Sequence, residues 1–197
     1  MGTDGHWLHD RPPTSLRAGA WRLDRSHPND RGHLVEAVNE SLEQLRPWMP
    51  WAQVPADAAS TGMFLRQADA SWEEGREFQF AVREDGRGAD EGGADLVGPI
   101  IGYCGLHDRL GAGALEIGYW VRSSHTGRGV ATAAAGALTR AALAVDAVER
   151  VEIHCDAANV KSSGIPPKLG YRLDRIVRRP PDAPGGSDRQ MVWVFPS

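Results

Sequence analysis

The chain has few cysteines, no long apolar run and no excess of positive charge, and each deficit removes a class of protein. Two cysteines, Cys104 and Cys155, occur in 197 residues. They form neither a disulfide framework nor a Cys-x-x-Cys metal site. Both fall in apolar strand patterns, which fits buried thiols in a reducing cytosol. The apolar runs fall far short of a membrane span. Met1 to Pro13 is polar and carries no apolar segment of the secretory kind, so a cytoplasmic protein is expected. A net charge of −4 gives no reason to expect nonspecific nucleic-acid binding. Two phosphate motifs are missing as well: there is no Gly-x-x-x-x-Gly-Lys-Ser/Thr, and no Gly-x-Gly-x-x-Gly with an acidic residue at the right distance. No nucleophile triad or metal cluster is legible.

What is present reads as one domain. A chain of this length buries roughly 70% of the surface its unfolded form exposes. Residues 1–14 look like a loose leader, and 15–197 a single domain. Trp21-Arg22-Leu23 reads as a first strand. Asp30 is placed to cap a helix in which Leu34, Val35, Val38, Leu42 and Leu45 keep helical spacing, and Pro47 ends it. A second helix begins at Pro55 to Ala59 and runs to about Glu74. Phe78 to Val82 alternates as a strand. Glu84 to Asp95 is Gly- and acid-rich without apolar periodicity, and reads as a long mobile hairpin loop. Strands follow at Leu96–Leu106, with Pro99 as an irregularity, and at Leu115–Val121. An Ala-rich helix from Val130 to about Val145 carries one apolar stripe of Val130, Ala134, Ala137, Leu138, Ala141 and Val145. Arg150–Cys155 is a strand, Asn159–Leu169 a short helix interrupted at Pro166-Pro167, Tyr171–Val177 and Gln190–Phe195 a final pair of strands. The order predicts an α/β fold with a mixed sheet and helices on both faces. Of the seven tryptophans, Trp7, Trp21, Trp72 and Trp193 have no motif around them and suit packing roles.

The most informative stretch is Ser124-His125-Thr126-Gly127-Arg128-Gly129-Val130-Ala131-Thr132. It joins a strand to the N-terminus of the Ala-rich helix. The unpaired N–H groups of a first helical turn and the helix dipole favour an anion there. Glycine lets a ligand approach the backbone, and Arg128 adds a planar cation suited to phosphate. The turn reads as a diphosphate cradle.

With this loop the chain resembles the GNAT superfamily of N-acetyltransferases, and within it the RimJ/RimL type. Ser124 to Gly129 fits that family's Gln/Arg-x-x-Gly-x-Gly/Ala except at the first position, where Ser124 stands. Leu45-Arg46-Pro47-Trp48-Met49-Pro50-Trp51, Glu116-Ile117-Gly118-Tyr119-Trp120, and Asn159-Val160-Lys161-Ser162 followed by Pro167-Lys168-Leu169-Gly170-Tyr171 match in the family's order, over roughly Leu16 to Phe195. The resemblance implies a GNAT-like, mostly antiparallel twisted sheet and acetyl-CoA as co-substrate, with no metal.

The same resemblance assigns candidates. Gly127, Arg128, Gly129, Val130, Ala131 and Thr132 would hold the diphosphate, with Lys168 also on the coenzyme side. Trp120, Val121 and Arg122 would offer a strand edge to the amides of the pantetheine arm. Asn159 suits either a helix cap or an amide contact. Ser162, three residues on and on the same helix face, would donate a hydrogen bond to the coenzyme sulfur, or is a solvated serine. Glu116 would be a general base, or an ordinary strand carboxylate. His154 reads as a base or as a core histidine. Trp48 and Trp51, restrained by neighbouring prolines, would border the acceptor, or form an apolar plug; by its position after the third strand, and not by the resemblance, His107 would line the acceptor pocket.

The expected activity is transfer of an acetyl group from acetyl-CoA to a primary amine, a protein N-terminus or a small molecule, by direct attack in a ternary complex. The competing readings are an antibiotic- or metabolite-modifying enzyme, a succinyl-CoA-using enzyme in which Arg122 or His107 meets the acyl carboxylate, and a non-catalytic acyl-CoA-binding domain. No membrane partner is expected, and a homodimer is compatible with this reading.

Overall fold

Strands with one face against helices build an eight-stranded sheet, seen in a computed structural model that describes residue 8 and residues 10–85 and 98–195. The elements, in chain order, are β1 (Ser15–Ala18), β2 (Trp21–Arg25), α1 (Arg31–Glu40), α2 (Leu42–Leu45), α3 (Ala58–Glu73), β3 (Glu77–Glu84), β4 (Gly102–His107), β5 (Ala114–Val121), α4 (Val130–Leu143), β6 (Arg150–Asp156), α5 (Val160–Ser163), β7 (Arg172–Arg178) and β8 (Arg189–Phe195). The sheet order is β1-β2-β3-β4-β5-β6-β8-β7. Every neighbouring pair is antiparallel except β5 with β6, which is parallel.

Helices cover both faces. The expected stripe on α4 and just beyond it is buried throughout, at Val130, Ala134, Ala137, Leu138, Ala141 and Val145. It packs on Leu106, Leu115, Ile117, Val151 and Ile153. The opposite face of the sheet presents Ala81 and Tyr103 to Leu34, Ala37 and Val38 of α1 and Leu65 of α3. Alternation along β3 and β4 separates these two clusters.

Several expectations shift. A first strand, β1, precedes Trp21 and pairs with β2 across a turn at Gly19. The expected helix from Asp30 to Leu45 breaks at Ser41, whose backbone leaves helical geometry (φ −101°, ψ 4°) and whose Oγ donates to the Ala37 carbonyl at 2.7 Å. Asp30 makes no side-chain cap to α1. It is buried instead, accepting from Arg83 at 2.5 Å and from the His27 N–H at 3.0 Å. The second helix starts at Ala58, because the Asp57 carboxylate accepts from the N–H groups of Ala59 and Ser60 at 2.7 and 2.8 Å. Strand β4 begins only at Gly102, three residues after Pro99. Leu8, within the expected leader, is buried in the α4-side core. Trp7 and the residues 86–95 of the expected mobile loop lie outside the described residues.

Candidate active site

The site forms where β5 and β6 part. Their ladder has three pairs, Ala114–Arg150, Leu115–Val151 and Glu116–Glu152, and ends there. Beyond it Ile117, Gly118 and Tyr119 face His154, Cys155 and Asp156 across a cleft of about 230 Å³. The Arg122 N–H donates to the Ile101 carbonyl at 2.9 Å. By antiparallel alternation, Trp120 and Gly118 then also direct their main-chain groups at β4, while Ile117, Tyr119 and Val121 direct theirs at the gap. Of the expected edge residues Trp120, Val121 and Arg122, Val121 alone presents its backbone to the gap, and its carbonyl accepts from the Gln44 side chain at 3.2 Å. The sequence reading missed Ile117 and Tyr119, because it used proximity to the loop where pairing parity decides.

Arg122 has a different task. Its guanidinium binds Glu40 at 2.6 Å and Glu36 at 2.7 Å on α1. The Ser123 N–H donates to Ser41 Oγ at 3.0 Å, and the Ser124 N–H to Glu40 at 3.2 Å. The break in α1–α2 thus fixes the start of the glycine loop. A guanidinium spent on two carboxylates is not free to meet a succinyl group.

The loop then turns into α4 through Gly127 (φ 76°) and Gly129 (φ 81°), the latter at the N-cap position. These are left-handed conformations that other residues adopt at a cost. Among the described residues no acceptor meets the N–H groups of Gly127 to Thr132. They therefore suit an anion such as a diphosphate. Arg128 is half-exposed, 3.4 Å from Glu84. A groove of about 380 Å³ leads along α4 past Gly129, Thr132, Gly136 and Arg140 to Leu169. Lys168 is exposed in the turn Pro166–Leu169 beside it. Arg140 was not singled out by sequence, since it has no motif around it.

Ser162 stands at the mouth of the gap. Its N–H donates to Asn159 Oδ1 at 3.2 Å, so Asn159 is a cap of the short helix α5 while its amide nitrogen makes no bond among the described residues. Ser162 Oγ and Tyr119 Oη lie 3.3 Å apart. Burial pushes the Tyr119 phenol up against the weaker opposing effect of Ser162, so it stays protonated at neutral pH. Burial likewise raises the nearby Cys155 thiol to about 11.

The far wall of the cleft is polar. Registry places Glu77, His107, Glu116 and Glu152 in one row across β3 to β6. Arg109 holds both oxygens of Glu116, at 2.7 and 2.5 Å. Burial works to raise the Glu116 carboxyl, but the Arg109 fork, helped by His154 and His107, outweighs it and holds it below the ordinary value. His107 bonds Glu77 at 3.1 Å, and its ring lies over Gly118, where a Cβ would come within 3.1 Å of Nε2. It backs the row and does not line the cleft. Trp48 lines the cleft; Trp51 sits outside it, half-exposed and tilted against Trp120 at 6.2 Å. The loop 179–188 forms the roof, with the Gly185 N–H donating to the Pro47 carbonyl at 2.8 Å. Asp156 anchors this roof by accepting from the N–H and Oγ of Ser187, each at 2.8 Å. Among the described residues no group of three or more His, Cys, Asp or Glu is placed to hold a metal, and no helix is long and apolar enough to cross a membrane.

A parted sheet, a glycine turn with unused N–H groups and a polar wall beyond the gap define an acyl-CoA-dependent acyltransferase of mixed α/β architecture. The chain belongs to the acetyltransferase (GNAT) domain family, whose model matches residues 21–172. It is 29% identical over 146 residues to a putative ribosomal N-acetyltransferase, YdaF, of Bacillus subtilis (strain 168), spanning 73% of each chain. Among solved structures it is similar to the microcin C7 self-immunity acetyltransferase MccE in complex with acetyl-CoA and AMP, with TM-score 0.81, 16% identity and coverage of 94% of this chain and 97% of the other. It is also similar to Mycobacterium smegmatis RimJ in complex with a CoA disulfide, with TM-score 0.77, 22% identity and coverage of 96% and 88%. The chain is thus an acetyltransferase of the GNAT class, and its fold is that of the RimJ structure.

Proposed function

We propose that the acceptor is the α-amino group of a protein or peptide N-terminus, acetylated by direct attack while both substrates are bound. The observation that carries this is the opening between β5 and β6, which joins a coenzyme side at Ser162 and Tyr119 to a separate polar wall at Glu116 and His154. An extended peptide end fits a cleft bounded by Trp48 and by the proline-rich roof at Pro180 and Pro181. The ribosomal N-acetyltransferase naming of YdaF points the same way.

In this reading the N–H groups of Gly127 to Thr132 hold the diphosphate, and Arg140 and Lys168 attract the remaining phosphate along the α4 groove. Val121, Tyr119 and Ile117 pair with the amides of the pantetheine arm. Ser162, backed by the Tyr119 phenol, donates a hydrogen bond to the sulfur as it gains charge. MccE, a relative that holds AMP, motivates a small-molecule acceptor as the second reading.

The test is thiol release from acetyl-CoA with hexapeptides whose first residue is varied, each also supplied with its α-amino group blocked, and with aminoacyl nucleotides alongside. Turnover of free but not blocked peptides supports the proposal. Turnover of the nucleotides alone supports the second reading, and no release above the amine-free background with any amine would leave only coenzyme binding.

A further inference from the structure

One imidazole on the acceptor wall lies between two carboxylates, and only one of them is hydrogen-bonded to it. His154 Nε2 is 2.6 Å from Glu152 Oε2. Its Nδ1 is 3.6 Å from Glu116 Oε2, beyond hydrogen-bond range. An ionised carboxylate only accepts, so Nε2 carries the hydrogen, and in its neutral form the ring keeps its lone pair on Nδ1. That nitrogen is on the side of Glu116, and both residues line the cleft. Glu152 is 1% exposed and is also held by Arg150 at 2.7 Å, with Arg175 of β7 at 4.0 Å. Glu116 differs: both of its oxygens are taken by Arg109, which leaves it a poor proton acceptor.

We propose that His154 Nδ1, rather than Glu116, takes the proton from the acceptor ammonium, with Glu152 as the positioning residue behind it. The proposal rests on the acetyltransferase reading and adds the route of the proton. Glu116 stays ionised and attracts the ammonium to the 3.6 Å space beside Nδ1. One N–H proton passes to Nδ1, leaving a neutral amine and an imidazolium. The amine lone pair forms the bond to the acetyl carbon, the C–S bond breaks with its electron pair going to sulfur, and the second N–H proton ends on the thiol. The imidazolium then returns its proton to water. The carboxylate behind the ring fixes its tautomer and stabilises the charge it acquires. The groups facing the ring are Glu152 from β6 and Glu116 from β5, the latter carrying Arg109; Arg150 and Arg175 act through Glu152.

The experiment compares His154→Gln, Glu152→Gln and Glu116→Gln with the wild type in the full chain. Two readouts are taken: kcat/KM for the acceptor from pH 6 to 9.5, by thiol release with the free-amine panel above, and 15N spectra of histidine-labelled protein. His154→Gln should lower kcat/KM about 10²- to 10⁴-fold at pH 7. The deficit should shrink at least tenfold by pH 9, as solvent deprotonates the amine, and the Kd for CoA should stay within twofold. Glu152→Gln should lower kcat about tenfold with little change in KM, and should shift His154 away from the Nε2–H tautomer that the wild type shows. Glu116→Gln should raise the acceptor KM while leaving the acidic limb of the pH profile in place. A wild-type pH profile in His154→Gln, loss of that limb in Glu116→Gln, or an Nδ1–H tautomer in the wild type overturns the proton route alone. A wild type that releases no thiol with any amine overturns the acetyltransferase reading and this route with it.

Discussion

Replacing Gly129 with valine tests the proposed coenzyme cradle separately from the rest of the molecule. Gly129 sits at φ 81°, ψ 5° at the N-cap of α4. An added Cβ would meet nothing nearer than the Trp21 ring at 4.0 Å, so crowding inside the protein is not the effect. Holding an L-residue in the left-handed region costs about 1–2 kcal/mol, and more when it is β-branched. If the turn keeps its shape, Tm should fall by roughly 2–8 °C for a chain of this size, and the valine side chain would occupy the groove into which Gly129 opens. If the turn relaxes, the N–H groups of Val130 and Ala131 would swing away from the diphosphate position the proposal assigns. A hydrogen bond to a charged group is worth about 1.5–3 kcal/mol, so losing one weakens coenzyme binding roughly 10- to 150-fold. Calorimetric titration with CoA, alongside thermal melts, reads both effects. Gly129→Asn, which tolerates the left-handed region better, should lose less stability. A CoA Kd in Gly129→Val within twofold of wild type, whatever the melt shows, would refute the cradle.

Other perturbations reach other parts of the site. Ser162→Ala should lower kcat roughly 10- to 10³-fold, about 1.4 to 4 kcal/mol of barrier, with the CoA KM unchanged; full activity would mean that the charge developing on sulfur needs no hydrogen bond from Ser162. Asp156→Ala releases the Ser187 anchor of the roof. At about 1 kcal/mol or more for these bonds, the acceptor KM should rise at least ~5-fold with coenzyme affinity intact, and a change confined to CoA would contradict the assignment of this loop. Arg122 and Ser124 hold the Glu40 carboxyl at about 2, against an ordinary 4.5. A lowered carboxyl stabilises the fold above its ordinary range and loses that contribution as pH falls from about 4.5 toward 2. Acid unfolding of Glu40→Gln should therefore be less steep across that window than in the wild type, and identical slopes would count against the link.

The elements that the sequence announced were those with a local cause. Apolar spacing marked the buried stripe of α4 and the cores of β3, β5, β6 and β8, and the strand–glycine–helix order marked the loop from Ser124 to Thr132. Hydrogen-bond parity across β4 and β5 was not legible, because it depends on which residue of a distant strand lies opposite, and it moved the presenting edge from Trp120 and Arg122 to Ile117 and Tyr119. Pairing of charges was equally hidden. Nothing near Arg109 signals that it will close on Glu116, and nothing near Arg122 signals Glu36 and Glu40 more than eighty residues earlier. The break at Ser41 was missed for a related reason. The helical spacing continues through it, and only the docking of Ser123 on Ser41 shows why the chain turns there.

The three-pair ladder between β5 and β6 has a mechanical consequence. On one side of it, β1 to β5 are stitched together by antiparallel ladders of four to six pairs; on the other, β6, β8 and β7 are stitched by ladders of six. The sheet is therefore two stiff plates joined along a short seam, with α4 laid against both. A hinge at such a seam has its softest motion in the direction that widens the opening below Glu116. A coenzyme arm threaded into that opening would act as a second row of stitches, stiffening the joint at the moment when the reacting atoms must be held still. Amide exchange along β6 and β8 is where that stiffening would register, far from the glycine turn at the start of α4.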